Sequence, residues 1–287
     1  MRALVLGAGG QVGRALTRAS PPGVSVTSME RAECDVTDRD WLRAVVADVR
    51  PDLLFNAAGY TAVDRAEAEP EKAHLLNGKA PGWMAAAARD TGARFVHIST
   101  DFVFDGTAPT PRGPGDATNP RGVYARSKLE GECSVRGVDP GNLVVRAAWV
   151  YAPSGVNFVN TMLGLMRERD TINVVADQVG TPTRAACLAS ALWALAAAGA
   201  RGIHHFTDAG VASWYDFAVA IQEEARAIGL IDRAVRVVPI ASVDYPTAAP
   251  RPAYSVLDKS VTWALLGGPA PHWRASLRAN LLELKNG

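Results

Sequence analysis

Residues 3–6, Ala-Leu-Val-Leu, form an apolar run suited to a short strand buried on both faces. They lead directly into Gly7-Ala8-Gly9-Gly10-Gln11-Val12-Gly13, and then into the helical Arg14-Ala15-Leu16-Thr17-Arg18-Ala19. Glycines 7, 10 and 13 are thus spaced G-x-x-G-x-x-G between a first strand and a first helix. No other feature restricts the fold as much. The chain has to turn tightly, bring its backbone up to a pyrophosphate with no Cβ in the way, and pack the helix closely on the strand. The amides and dipole of that helix then face the phosphates. A flexible glycine turn would satisfy the spacing alone, but its place after the first strand favours a nucleotide site.

The chain beyond keeps alternating. Residues 24–28 read as a second strand, ending at Met29-Glu30-Arg31. An acid at that point accepts hydrogen bonds from an adenosine ribose and a base tolerates a 2′-phosphate, so this pair leaves both NADH and NADPH open. Asp35 is a candidate contact on the adenine side, and Asp38 or Thr37 a candidate N-cap for a helix over 39–49. A strand near 51–56 runs into the small residues Ala57-Ala58-Gly59, against which a cofactor can lie. A helix is expected over 71–91, with Asn77 inside it. The run 94–101 is the next strand and its exit, with Ser99 and Thr100 where a doubly wound sheet presents ligand-facing groups. The proline- and glycine-rich stretch 102–120 is a loop and part of a substrate rim. Residues 143–151 read as one strand with an aromatic exit, where Trp149 either stacks on a ring or packs in the core.

After about residue 155 the alternation becomes irregular. A buried helix is expected over 184–199, a strand over 202–207, and a helix from Trp214 capped by Ser213. His204 and His205 point to opposite faces of a strand and make a poor metal pair. Alternation of this kind argues for an α/β protein. The expected architecture is a Rossmann-like doubly wound parallel sheet over residues 1–150, with some later segments returning to it, and a smaller C-terminal α/β substrate region over 151–287.

The chemistry is carried by Tyr124-Ala125-Arg126-Ser127-Lys128. Four residues apart on a helix, the phenol and the ammonium share one face. A free tyrosine has a pKa of about 10. A nearby cation lowers it, and a tuned Tyr-Lys pair can protonate a carbonyl undergoing reduction. A hydroxyl at Thr100 can hold that carbonyl. Net charge over 287 residues is +1, which gives no reason to expect nucleic acid or a membrane surface as partner. Cys34, Cys133 and Cys187 lack metal-ligand spacing and suit a reducing cytoplasm. No metal is expected.

Taken in order, the motifs resemble the dTDP-4-dehydrorhamnose reductase family, in the extended branch of the short-chain dehydrogenase/reductases. They are Gly10-Gln11-Val12-Gly13, Asn56-Ala57-Ala58, Ser99-Thr100-Asp101-Phe102-Val103-Phe104-Asp105-Gly106, Tyr124-x-x-x-Lys128, Arg146-x-x-Trp149-Val150-Tyr151, Asp177-Gln178-x-Gly180-x-Pro182-Thr183, Ser213-Trp214-x-x-Phe217-Ala218 and Arg251-Pro252-x-x-Ser255-x-Leu257. The resemblance implies NADPH- or NADH-dependent reduction of the C4 keto group of a dTDP-4-dehydro-L-rhamnose substrate. It implies Thr100, Tyr124 and Lys128 as the catalytic set, with Tyr124 the proton donor and Lys128 on the nicotinamide ribose. It implies cofactor contacts at Gly7, Gly10, Gln11, Val12, Gly13, Glu30, Arg31, Asp35, Val36, Ala57, Ala58, Gly59, Tyr60, Thr61 and Ile98, besides Tyr124 and Lys128. Asp101, Phe102 and Trp149 match positions lining the sugar-nucleotide site, beside Thr100 and Tyr124.

Three departures stand out. Phe102 replaces a usual tyrosine, Ala147-Ala148 replace Thr-Ser, and Ala15 replaces a glutamate associated with magnesium and dimer formation in part of the family. A homodimer is compatible with the resemblance, but a magnesium-bridged one is not favoured. The alternatives are a 4-ketoreductase of another deoxysugar nucleotide, or a non-catalytic dinucleotide-binding regulatory subunit.

Overall fold

The structure is a computed structural model and describes residues 1–287. Six parallel strands form the main sheet: β1 (Arg2–Leu6), β2 (Ser25–Met29), β3 (Leu53–Asn56), β4 (Arg94–Thr100), β5 (Leu143–Ala147) and the later strand Gly202–His205. Their spatial order is Gly202–His205, β5, β4, β3, β1, β2. The order reverses around β1 and β3, so a crevice opens beyond their carboxyl ends.

Alternation along each strand divides the side chains between two cores. Ala3, Val5, Leu53, Phe55, Leu143 and Val145 face one side, with Leu16 of helix α1 (Gln11–Arg18) and Leu188, Leu192 and Trp193 of the helix Ala185–Ala197. Leu4, Leu6, Leu54, Phe95 and Val144 face the other, with Leu42 and Val46 of helix α2 (Arg39–Val49), Met84 and Val135. The apolar run near 185–200 is thus a buried helix of the sheet's own core, tied to α1 by a 2.9 Å bond from Trp193 Nε1 to the Leu16 carbonyl. No helix is long and apolar enough to cross a membrane. A third core gathers Tyr151, Val159, Leu163, Phe217, Ile221, Trp273 and Leu277, and lies beside a two-stranded parallel pair, Thr171–Val175 with Arg236–Ile240. Two caps lie where expected: Asp38 accepts from Trp41 N, and Ser213 with Asp216 forms a full capping box.

Two elements differ from the sequence expectation. The helix expected over 71–91 is three pieces: α-helical Pro70–Ala73, π-helical His74–Lys79 and α-helical Ala80–Thr91. Pro81 has no N–H to return to the Asn77 carbonyl, so an uninterrupted α-helix would leave that carbonyl unpaired. Asn77 also spends its side chain elsewhere, accepting from Tyr60 N at 2.8 Å and donating to the Tyr60 carbonyl and Ser127 Oγ, each at 3.0 Å. The strand expected over 143–151 breaks after Ala147. Trp149 takes a left-handed φ of 48°, and Val150–Tyr151 pairs with Thr183–Arg184 outside the main sheet. Such a backbone costs about 1–3 kcal/mol in a non-glycine residue. Here it lays the Trp149 indole parallel on Trp214, with ring centroids 3.5 Å apart.

Candidate active site

Two adjoining cavities fill the crevice. The first, of about 580 Å³, runs from Gly7, Gly9 and Gly10 past Glu30, Arg31, Asp35 and Val36 to Ala57–Thr61. The second, of about 520 Å³, shares Gly10, Ala57, Ala58, Gly59 and Thr61 with it. It continues through Gln11, Val12, Ile98, Thr100, Asp101, Phe102, Tyr124, Lys128 and Trp149. Every candidate residue except Gly13 therefore lines one continuous groove. Gly13 lies inside α1, where a Cβ would come within 2.7 Å of Ala8 Cα. Its absent side chain lets the helix lie on the strand.

The glycine turn is shaped for an elongated anion. Gly7 has φ +81°, and a Cβ there would stand 2.5 Å from Ala58 N. At Gly10 the only neighbours of a Cβ would be the Gly7 carbonyl at 3.3 Å and the Ala57 carbonyl at 4.0 Å, so that position opens into the groove. Gly10 is the N-cap of α1 and supplies no side-chain cap. The first amides of α1 therefore face the cavity with their dipole. These features fit a dinucleotide's pyrophosphate. Asn56 braces the far wall: its Oδ1 accepts from Ala58 N at 3.0 Å, and its Nδ2 lies 3.0 Å from His97 Nδ1.

Tyr124 and Lys128 sit one turn apart on the helix Gly122–Val138, opposite the end of β4. Burial raises the Tyr124 phenol to about 12; the Thr100 hydroxyl works against that rise and the charge of Asp101 adds to it. Lys128 is not among the groups that set this value. Its ammonium donates to the Ile98 carbonyl at 2.6 Å, and burial lowers it to about 8, opposed by Glu132. The expectation that Lys128 depresses the tyrosine pKa is therefore corrected. Desolvation of the phenol dominates, and Tyr124 is held protonated, ready to donate. Asp101 is 2 % exposed, and burial lifts its carboxyl to about 6 against hydrogen bonds from Ser255 and Thr100. Its Oδ2 has no partner. Such an atom in the cavity wall is set to receive a ligand hydroxyl.

Ser99 lines the second cavity as expected, but its hydroxyl is not free to meet a ligand. Its hydroxyl donates to Glu132 Oε1 at 2.5 Å, behind the site. Residues that sequence reasoning had not placed also come in: Trp214, Asn157, Val156 and Arg251 complete the second cavity. Asn157 Nδ2 bonds Gln11 Oε1 at 2.9 Å and ties this rim to the glycine turn. Trp214 follows the capping serine, and its place on the cavity wall depends on how the third core folds back.

A family model described as the RmlD substrate binding domain matches residues 1–286. The dTDP-4-dehydrorhamnose reductase of Burkholderia thailandensis is 44 % identical over 285 residues, covering 96 % of both chains. The chain belongs to the dTDP-4-dehydrorhamnose reductase family. The Mycobacterium tuberculosis protein of that name is 41 % identical over 293 residues, with 99 % of this chain and 94 % of that one covered. Among solved structures, the Clostridium acetobutylicum dTDP-4-dehydrorhamnose reductase superposes with a TM-score of 0.93 at 37 % identity, covering 99 % of this chain and all of that one. The Bacillus anthracis dTDP-4-dehydrorhamnose reductase, solved in complex with NADP, gives 0.92 at 32 %, covering 98 % and 99 %. Against the pattern expected of this dTDP-4-dehydrorhamnose reductase family, two of the three departures fall around one cavity, while Ala15 lies in helix α1. Phe102 and Ala147 line it, while Ala148 is buried behind. Phe102 meets Tyr124 edge-on, with ring centroids 5.8 Å apart, so the phenol has an apolar neighbour in place of a hydroxyl.

Proposed function

We propose that this protein reduces the C4 keto group of dTDP-4-dehydro-L-rhamnose to dTDP-L-rhamnose with NADPH or NADH. The observation that carries the reading is the meeting of Thr100, Tyr124 and Lys128 in a cavity continuous with the glycine-turn groove, in a chain of this family.

Gly7, Gly10, Gln11 and Val12 hold the dinucleotide's pyrophosphate. Glu30, Arg31, Asp35 and Val36 hold its adenosine end, and Ala57–Thr61, Ile98 and Lys128 its nicotinamide half. Bound there, the dinucleotide supplies the hydride. The chain supplies the rest. Thr100 Oγ1 and Tyr124 Oη bind the C4 oxygen of the sugar, and Tyr124 gives it the proton. A phenol held near 12 is a weak acid toward a neutral ketone, but it matches the basicity of an oxygen turning into an alkoxide. Lys128, buried and cationic up to about pH 8, binds ribose hydroxyls. Asp101 Oδ2 accepts from a sugar hydroxyl, and the Trp149–Trp214 stack walls off the nucleotide side.

In this reading the unit built mainly from residues 1–150 holds the dinucleotide, with the strand Gly202–His205 and the helix Ala185–Ala197 returning to it. The third core and its loops hold the nucleotide sugar. The protein works in the cytoplasm, with all three cysteines free. A homodimer is compatible with this, without a magnesium bridge at Ala15. A second reading, a 4-ketoreductase of a different deoxysugar nucleotide, is favoured by Phe102 and Ala147, which remove hydroxyls from the cavity wall. Oxidation of NADH or NADPH on adding dTDP-4-dehydro-L-rhamnose, with dTDP-L-rhamnose as product, supports the first. Turnover only with other 4-keto sugars supports the second. A protein that binds dinucleotide but reduces no such sugar would return the regulatory-subunit alternative.

A further inference from the structure

The face that carries Tyr124 and Lys128 continues for one more turn, to Glu132. Glu132 is 2 % exposed, and its carboxylate is fully engaged. Oε1 accepts from Ser99 Oγ at 2.5 Å and Arg146 Nε at 2.9 Å, and Oε2 accepts from Arg146 Nη2 at 2.7 Å. Arg146 is equally buried and lies over the Phe104 ring, 5.0 Å from its centroid. Three successive residues of β4 are therefore matched to successive turns of one helix. Ile98 accepts from Lys128, Ser99 donates to Glu132, and Thr100 meets Tyr124. Opposite, the helix is fixed by Asn77 on Ser127 and by Gly131, where any Cβ would strike the Asn77 carbonyl.

We propose that Glu132 is a positioning residue for the reduction: it locks the Tyr124 helix in register with β4 and places a fixed negative charge one turn behind Lys128. The inference rests on the reductase reading. A pair that served stability alone has no need of charge, because well-packed apolar residues often replace a buried ion pair without loss. Its position relative to Lys128 gives the charge a use. The groups around Lys128 are Tyr124 and Glu132, one turn to either side on its own helix, and His97 of β4, which burial holds neutral; the Asp101 charge beyond β4 acts on Tyr124 instead. Arg146 from β5 faces Glu132 and limits its field. Of these, Glu132 is the one carboxylate that opposes loss of the Lys128 proton.

The test is a fluorescence titration of NADH and NADPH against pH, on wild type, Glu132→Gln and Ser99→Ala. The amide keeps the shape and removes the charge. Glu132→Gln should bind dinucleotide within about threefold of wild type near pH 6 and about tenfold more weakly near pH 8.5, because its Lys128 loses the proton earlier. Ser99→Ala keeps the charge, so its binding should follow the wild-type pH dependence while its kcat falls several-fold. If Glu132→Gln leaves Arg146 too poorly satisfied to fold, the double variant Glu132→Gln/Arg146→Met should show the same direction, weaker binding at pH 8.5 than at pH 6 relative to wild type, with a smaller fold-change because the opposing guanidinium charge is removed too. A weakening that is the same at every pH, or none, would overturn the inference. Wild-type protein that binds neither dinucleotide would overturn the reductase reading, and the inference with it.

Discussion

Alanine at Gly10 and at Gly13 should break the protein in two different ways, although both positions belong to one turn. At Gly13 the new methyl would lie inside van der Waals contact of the Gly7 carbonyl and 2.7 Å from Ala8 Cα. Both are backbone atoms of the tight turn and cannot swing aside. Overpacking of this kind costs about 1–3 kcal/mol, and about 2–4 °C of Tm per kcal/mol in a chain approaching this size. Gly13→Ala should therefore lower Tm by about 2–12 °C. At Gly10 the nearest atom is the Gly7 carbonyl at 3.3 Å, which has to give by a few tenths of an ångström. Gly10→Ala should hold its Tm within about 2 °C, since mild surface changes cost about 0.5 kcal/mol or less. Its methyl, however, would stand where both cavities meet, at the proposed pyrophosphate site. Losing about 1.4 kcal/mol or more there means a tenfold or larger rise in Kd for NADH. Differential scanning fluorimetry and NADH titration on the two variants give both numbers. Gly10→Ala binding NADH as wild type does would refute the placement of the pyrophosphate. Gly13→Ala with an unchanged Tm would refute the packing argument.

Three further outcomes are expected. Tyr124→Phe removes the proposed proton donor and should lower kcat by about 10²–10⁴ with NADH affinity kept; unchanged turnover would mean another donor. Reductase activity should fall as pH rises through about 8, where Lys128 loses its proton while Tyr124, at about 12, keeps its own; a kcat/KM profile flat to about pH 10 would contradict that assignment. Ser213→Ala removes the capping box in front of Trp214, for about 1 kcal/mol of stability; urea denaturation measures it, and an unchanged midpoint would refute the capping contribution.

The first half of this fold could be read from short-range signals. Buried parallel strands, a glycine turn and an N-cap are each written within about ten residues. That is why β1 to β4, α2 and the capped helix at Trp214 lie where the sequence puts them. The break at Trp149 could not be read so, because its left-handed backbone is held by Trp214 and Gly180, distant in sequence. The π-helical turn at His74–Lys79 had a visible cause in Pro81, yet its form depends on Tyr60 and Ser127, which Asn77 reaches only in the folded chain. At the site, residue types and spacing pointed to Thr100, Tyr124 and Lys128, but not to the electrostatics. A tyrosine next to a lysine on one helix face suggests a lowered phenol pKa; burial and the direction of the lysine's hydrogen bond reverse that. Ser99 and Glu132 show the same limit, since alternation assigns a face but not a partner. Trp214 and Asn157 reach the cavity from the third core and Arg251 from a late loop held by its ion pair with Asp64, and such packing against the crevice leaves no local pattern.

The central claim is that hydride goes to C4 of the sugar while Tyr124 supplies the proton. Its most direct measurement is turnover of dTDP-4-dehydro-L-rhamnose with NADH or NADPH deuterated at the transferring position, followed by NMR of the sugar product, for wild type and Tyr124→Phe. The account predicts deuterium at C4 of dTDP-L-rhamnose from the wild type, and near-complete loss of that product from Tyr124→Phe with dinucleotide binding retained. Deuterium at another carbon, or wild-type protein that binds dinucleotide and leaves the sugar unreduced, would contradict it.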